Sequence, residues 1–555
     1  EGAVRGREVP QLEVPVTGPV SKAVTDTPEG PMAYTKLGPI LGVRSEGYTI
    51  FRGIPYKEQT GRFEVGEPKR PWAPATFNAT KYRAACIGAH VGLVESEDCL
   101  YMNIWMPNAR HHTNMPVIIY IHGGINQHGG GHEGLRHGDG IVQVEGKPTI
   151  FINFDFRLGI FGWISLANSG VPHNLGMQDQ QEVMAWVNRH ISAFGGDPNR
   201  VTLLGQSEGC AAVLNHVVAP GSKGLFQRVV LISPVADIWP VDVNKERTNF
   251  MIARSNCNRS KVESTLRCLK RKHGKALWQS DWVAEELSRG MFNIPFWNAL
   301  SGVAGYFLGH GFSQTATGLG WHAEVDSATM PGVPRELIRK GQWNKVPVLI
   351  TTSKNETIGC LGGPLTMLLK LFMRTVFKKG DVQRVKHLYN ESLVAGGDHT
   401  LSETDLHHKI LTDKIWTCDI RTLASDIELG GGQAFVGGYW HNNGFDPVGR
   451  GTNARCERDA ACHAGDMPYI LPQRRGAGVL DHGSAEEVAF MNTYSSAFLS
   501  FVHGGSHPWK RFDVKTKPFT LFDSNGTWVV PNYRHEQCDV LDSSTNEMLP
   551  ATMGI

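Results

Sequence analysis

The run Arg200-Val-Thr-Leu-Leu-Gly205-Gln206-Ser207-Glu208-Gly209-Cys210-Ala211-Ala212-Val213 has the residue types and spacing that make a serine hydroxyl reactive. An apolar, β-rich stretch enters Gly-x-Ser-x-Gly and an Ala-rich stretch with helix propensity leaves it, the strand–turn–helix context of a nucleophile elbow. Gly205 and Gly209 stand where a side chain would collide in so sharp a turn, and the strained turn lifts the Ser207 hydroxyl clear of the sheet. The helix that begins there aims its free N–H groups and positive end at the reacting centre. The chemistry is attack on a carbonyl carbon. A serine hydroxyl is too weak an acid to ionise unaided, so it needs a neighbouring base and donors for the oxyanion that forms.

Strand candidates that would position such a site lie at Tyr48–Ile54, Leu100–Trp105, Val117–Ile121, Thr149–Phe154, Val201–Leu204, Val229–Ile232, Val346–Thr351 and Ala434–Trp440. Helical stretches separate most of the later ones, Gln180–Ile191 and Cys210–Val218 among them. Strands alternating with helices imply an α/β fold, a mostly parallel sheet covered on both faces. Residues 1–35 are polar and Pro-rich and read as a surface arm, with 36–555 as one large domain without repeats. The stretch 240–340 breaks the rhythm with Trp278, Trp282, Phe292, Phe296, Trp297 and a Gly-rich run from Gly302 to Gly320. Together with 365–430 it reads as an insertion of the kind that builds lids and substrate walls.

The 555 residues carry 55 Lys+Arg against 53 Asp+Glu, a net charge of +2. So even a balance gives no ground for nucleic acid or an anionic membrane as a general partner. No apolar run approaches the ~18 residues of a membrane span. The N-terminus Glu1-Gly-Ala-Val-Arg lacks an apolar signal region, consistent with a leader already removed, and the C-terminus lacks an endoplasmic-reticulum retention tetrapeptide. Ten cysteines include the close pairs 86/99, 257/268 and 456/462, without the C-x-x-C spacing of a zinc site. With sequons at Asn78, Asn258, Asn390 and Asn525, they point to a secreted or lumenal, oxidised glycoprotein. His122, His128, His132 and His137 lie scattered in a Gly-rich loop with no tight ligand pair. No metal or cofactor is expected.

Several further blocks give the chain a resemblance over nearly its full length to the type-B carboxylesterase/cholinesterase family of α/β hydrolases. Phe51-Arg-Gly-Ile-Pro-Tyr56 with Gly61-Arg62-Phe63 is similar to its N-terminal signature, and Ser96-Glu-Asp-Cys-Leu-Tyr-Met-Asn103 to its second. Asn153-Phe-Asp-Phe-Arg157-Leu-Gly-Ile-Phe-Gly162, Asp179-Gln180 and Phe194-Gly-Gly-Asp-Pro-Asn-Arg-Val-Thr202 continue the likeness up to the elbow. The resemblance implies the α/β-hydrolase fold and a triad in the order Ser…Glu…His. Ser207 is then the nucleophile. His463, in Cys462-His463-Ala-Gly-Asp-Met-Pro-Tyr469, is the base. Glu356, in Lys354-Asn355-Glu356-Thr357 after the strand Val346–Thr351, is the acid that fixes the imidazole tautomer. Without the resemblance Asp326 rivals Glu356; with it, Asp326 reads as the end of a strand near the pocket. Asn355-Glu-Thr also has sequon form, but falls in this acid loop and is set aside.

The chain departs from the family at the oxyanion loop and at the elbow. His122-Gly123-Gly124-Ile125-Asn126 stands where the family has His-Gly-Gly-Gly-Phe, so the oxyanion donors become the N–H groups of Gly124, Ile125 and Glu208. Gln206-Ser207-Glu208 stands for Glu-Ser-Ala, with the Glu208 side chain expected to point away from the hole. A choline-binding Trp, carried in the cholinesterase branch by the loop of the first disulfide, is missing from the loop between Cys86 and Cys99. Quaternary ammonium esters are therefore poor candidates.

The resemblance pairs Cys86–Cys99, Cys257–Cys268 and Cys418–Cys538; Cys456–Cys462 is added from proximity alone, and Cys210 and Cys360 are expected as buried thiols. Arg62–Glu97 and Arg157–Asp179 match the family's two buried ion pairs. The function expected is a secreted serine carboxylic-ester hydrolase acting on a small-molecule ester through an acyl-enzyme. Beside it stand acyl transfer or other chemistry on a specialised metabolite by the same triad, and a non-catalytic interaction protein, which the retained serine argues against.

Overall fold

The computed structural model describes residues 24–108, 113–133, 136–234, 243–281, 321–357 except 327, 373, 377–378, 380–395, 402–441, 461–472 and 479–544. Its centre is an eleven-stranded sheet. In chain order the strands are β1 (Val43–Arg44), β2 (Tyr48–Pro55), β3 (Tyr101–Pro107), β4 (Met115–Ile121), β5 (Ile150–Phe154), β6 (Gly196–Gln206), β7 (Arg228–Ile232), β8 (Pro347–Ser353), β9 (Gln433–Tyr439), β10 (Phe519–Asp523) and β11 (Gly526–Val530). Across the sheet they run β11-β10-β9-β8-β7-β6-β4-β5-β3-β2-β1. The pairs from β5 through β4 and β6 to β10 are parallel, and β3, β2, β1 and β11 join antiparallel.

The apolar runs of the central strands have a direct physical reading. Every residue of β4 is buried. Val117, Ile119 and Ile121 enter one core cluster and Ile118 and Tyr120 the other. Side chains alternate across a strand, so a parallel sheet packed by helices on both faces needs an apolar residue at every position. Four helices matter below: α1 (Gly159–Trp163), α2 (Leu175–His190), α3 (Glu208–Val218) and α4 (Val243–Arg254). All eleven residues of α3 are buried, as expected of a helix that is apolar nearly all round.

All eight strands expected from sequence are present, most within two residues of the expected ends. β6 is longer than expected, because its polar start Gly196–Arg200 continues the strand. The arm proposed for residues 1–35 is different in part. From Val24 onward the chain forms two strands, Val24–Thr27 and Gly30–Thr35, of a separate four-stranded sheet; residues 1–23 lie outside the described residues. Strands this short, broken by Gly and Pro, carry too little alternation to be read from sequence. Within the 240–340 insertion, Val243–Arg254, Val262–Arg271 and Pro334–Arg339 are helices. Trp278 is buried, while Trp282, Phe292, Phe296, Trp297 and the run Gly302–Gly320 lie outside the described residues, as do 365–372 of the second insertion.

Three disulfides join Cys86–Cys99, Cys257–Cys268 and Cys418–Cys538. Cys462 is disulfide-bonded; Cys456 and Cys360 lie outside the described residues. Cys210 is a buried free thiol, with Sγ 3.1 Å from both Gly205 O and Ile232 O. Among the described residues no helix is long and apolar enough to cross a membrane.

Two ion pairs brace the lower core. Arg157 makes a two-point contact with Asp179, Nε to Oδ2 and Nη2 to Oδ1, both 2.7 Å, and Lys57 Nζ adds a third bond at 2.9 Å. All three groups are buried, and Lys57 had no signal in the sequence. Arg62 also grips Glu97 at two points. The Glu97 side chain is 28% exposed, so that pair is only partly buried. Arg62 further donates to the carbonyls of Leu269 and Lys272, closing the end of the Val262–Arg271 helix.

Candidate active site

The register of the central sheet brings the site together. Gly205 on β6 lies opposite Ile121 on β4, so the elbow and the loop from His122 leave the sheet side by side. This is the point where strand order reverses, with β4 lying between β5 and β6, the usual place for a site in an open α/β sheet. Ser207 follows β6 and is the N-terminal flanking residue of α3, with φ 57° and ψ −124°. A Cβ on Gly205 would lie 2.3 Å from Gly209 O, and one on Gly209 would lie 2.2 Å from Ile121 O. Neither position admits a side chain, and the tight turn is the cause. In an otherwise buried stretch Ser207 is the residue that reaches partial exposure.

Glu356 follows β8 and His463 comes from a separate loop. Asn355 N donates to Ala461 O at 3.0 Å, and Asn355 and Cys462 form a parallel bridge. That bridge places the next residue of each segment, Glu356 and His463, against one another. His463 Nδ1 lies 2.5 Å from Glu356 Oε2. The other carboxylate oxygen accepts from Ser353 N at 2.6 Å and Thr352 Oγ1 at 2.8 Å. Glu356 is fully buried; its ionised form is held by three donors, and a carboxylate there fixes the proton of His463 on Nδ1. His463 Nε2 is then the acceptor, and Gln206 Nε2 donates to it at 3.1 Å.

The loop after β4 carries unusual backbone. Gly124 has φ 106°, and a Cβ there would lie 2.4 Å from His128 O. Ile125 and Asn126 have φ of 54° and 56°. Asparagine tolerates this left-handed region; a β-branched residue does so at a cost of roughly 1–2 kcal/mol. The sequence gives the identity of Ile125 but not this strain. A Cβ on Gly123 would lie 3.0 Å from Ser207 Cβ, so the loop passes directly beside the nucleophile candidate. Among the described residues the N–H groups of Gly124, Ile125 and Glu208 meet no protein acceptor.

The histidines of that loop have packing roles. His122 stacks on Phe156 with ring centroids 4.5 Å apart, and burial pushes its pKa down to about 3. His132 and His137 pack around Tyr82. Among the described residues no three His, Cys, Asp or Glu side chains converge as metal ligands do. Asp326, the rival acid, is spent in its own turn: its carboxylate accepts from Thr329 N and Oγ1, both at 2.7 Å, and from Met330 N at 2.8 Å. It ends no strand. Sequence reasoning missed Trp416, whose ring centroid is 5.8 Å from that of His463. It lies in a π-helical turn, Asp413–Thr417, and such turns recur at functional sites.

Behind the loop, Asp155 Oδ1 accepts from Gly131 N at 3.1 Å, and burial raises its pKa from 3.8 to about 7. Between about pH 4 and 7 the folded protein keeps a proton there that the unfolded chain has released. This group's contribution is therefore full below pH 4 and is lost as pH rises toward 7. In urea titrations, Asp155→Asn should gain stability relative to the parent by up to about 1.4 kcal/mol per pH unit across that window. A difference independent of pH would contradict the assignment.

The sheet order, the elbow and the helices on both faces are those of the α/β hydrolases. The profile of the Carboxylesterase family matches residues 29–541, and the chain belongs to that family. Among curated relatives, a juvenile hormone esterase of Tribolium castaneum is 36% identical over 243 residues, covering 41% of this chain and 40% of that protein. Esterase FE4 of Myzus persicae is 33% identical over 378 residues, covering 65% and 59%. The chain thus spans about two-fifths to three-fifths of the length of these two relatives. The solved structure of a PNB esterase superposes with a TM-score of 0.73 over 92% of this chain and 99% of that one, at 23% identity, a likeness of fold.

Proposed function

We propose that the chain is a carboxylic-ester hydrolase that works through an acyl-enzyme on Ser207. The observation that carries this reading is the pinning of His463 Nδ1 on the buried Glu356 carboxylate at 2.5 Å, beside an elbow that no side chain at Gly205 or Gly209 would permit. His463 Nε2 takes the Ser207 proton as Oγ bonds to the ester carbonyl carbon. The oxyanion accepts hydrogen bonds from Gly124, Ile125 and Glu208, and its collapse expels the alcohol, which leaves with the proton from Nε2. Water then repeats the sequence and releases the acid. Before each attack, the Nε2 lone pair must turn from Gln206 to the nucleophile.

Secretion is part of this reading. Three disulfides are the usage of an oxidising compartment, and the sequon residues Asn78, Asn258, Asn390 and Asn525 are all exposed, as attachment of a glycan requires. The test of function is hydrolysis of p-nitrophenyl butyrate, with products analysed with and without an added alcohol. Free butyrate as the main product in both supports hydrolysis; a butyrate ester of the alcohol as the main product moves the function to acyl transfer; no turnover by folded protein overturns the reading.

In this reading Ile125 limits the size of the group that lies beside the scissile carbonyl. It stands at a strained, partly exposed position, where the family motif that the chain resembles has glycine. Ile125→Gly should raise kcat/KM on bulky esters about tenfold, equivalent to relief of ~1.4 kcal/mol of misplacement. Short acyl chains should gain less. Equal ratios across an acyl series would mean that Ile125 does not touch substrate.

A further inference from the structure

Two departures from the resembled motifs, Asn126 in the loop and Glu208 in the elbow, meet in the structure. Glu208 is the first residue of α3, and its carboxylate is buried at 8% exposure. Its partners come from the oxyanion loop and from the 240–340 insertion. Asn126 Nδ2 donates to Glu208 Oε1 at 2.9 Å and to Trp321 O at 2.7 Å. His322 Nδ1 lies 3.2 Å from the same Oε1. Because an ionised carboxylate only accepts, the ring carries its proton on Nδ1. A carboxylate one residue from the nucleophile would oppose the developing oxyanion; here two donors occupy one of its oxygens.

The loop is held from the other side as well. Ile125 O accepts from Trp321 N at 3.0 Å and Asn126 O from Gly159 N at 2.8 Å. His322 is fixed by a two-point exchange with Asn244 of α4, His322 N to Asn244 Oδ1 at 3.1 Å and Asn244 Nδ2 to His322 O at 2.6 Å. The neighbouring Gln127 is bonded to Arg247 Nη2 at 2.8 Å through Oε1 and to Asp281 Oδ2 at 3.2 Å through Nε2. Residues 125–127 are thus strained at two φ angles and tied to the elbow helix and to the 240–340 insertion at once.

We propose that Glu208, through Asn126 and His322, is a positioning residue that holds the Gly124–Ile125 peptides in the orientation their N–H groups need to receive the oxyanion. In this view Asn126 and Glu208 are one device, and the insertion sets the oxyanion loop through it. Backbone held off its preferred φ persists only where the surroundings over-determine it, and a misaligned donor loses its effect steeply. The inference rests on Ser207 being the nucleophile.

The test is a double-mutant cycle on p-nitrophenyl butyrate, with the fluorophosphonate-reactive fraction of each protein measured in parallel. Glu208→Ala and Asn126→Ala should each lower kcat about tenfold or more with KM within about twofold, and the double variant should fall no further than either single one. Glu208→Gln keeps an acceptor oxygen for Asn126 and should recover at least half of the loss on a logarithmic scale. If Glu208→Ala does not fold, Asn126→Ala set against Glu208→Gln carries the comparison. Additive losses, or losses confined to KM, overturn the clamp while leaving the nucleophile in place. A parent protein that neither turns over nor labels overturns the nucleophile, and the clamp with it.

Discussion

Ser207→Ala should reduce hydrolysis of activated short-chain esters by about 10⁴-fold or more while the melting temperature stays within a few degrees of the parent. The size of the loss follows from the proposed mechanism, in which Ser207 Oγ is the one atom that bonds to substrate: without it, the His463–Glu356 pair and the proposed oxyanion donors have no covalent step to assist. The small effect on stability follows from the local structure. Ser207 makes no side-chain capping bond to α3, is partly exposed, and keeps φ 57° through the packing of Gly205 and Gly209 around it. Alanine adopts that conformation at similar cost. Parent-level turnover in the variant would remove the catalytic assignment of Ser207.

Arg157→Ala is expected to give the largest loss of stability. The substitution removes two of the three bonds that neutralise Asp179, which is fully buried, and leaves Lys57 alone against it. It also strands Glu64 O, which Arg157 Nη1 holds at 2.7 Å. Breaking a buried pair from one side costs roughly 3–5 kcal/mol. Chemical denaturation should show a loss of that order, with the KM of any folded fraction little changed, because none of these groups belongs to the candidate site. Arg62→Ala should cost less, since water reaches Glu97 and screens what is left. An Arg157→Ala protein with the parent's denaturation midpoint would contradict the account of this pair.

The parts of the molecule that could be read from sequence share a physical cause. β4 through β9 are buried on both faces, so their apolar runs are dense, and Gly205 and Gly209 mark a turn that tolerates nothing larger. Residues joined across long separations left no such mark. Asn126 meets Glu208 and Trp321, Lys57 meets Asp179 and Trp416 packs near His463, and no periodicity links members of those sets. Glu356 and His463 were placed by resemblance to a family, because one His among 23 cannot be chosen by spacing. The N-terminal sheet from Val24 and the antiparallel edge β10–β11 escaped notice for a different reason. They are short and interrupted by Gly, Pro and polar residues, so neither strand period persists long enough to register.

The central claim is that Ser207 is a nucleophile activated by His463 and Glu356, and covalent labelling tests it most directly. A fluorophosphonate probe loses fluoride when an activated serine attacks phosphorus, and a serine without a base reacts far more slowly. Intact-mass measurement and peptide mapping should show one probe per chain on the peptide containing Ser207. Labelling should be abolished in Ser207→Ala and slowed at least a hundredfold, on the order of a lost general base, in His463→Ala. A folded protein that stays unlabelled, or one that carries the probe on a different residue, would contradict the account.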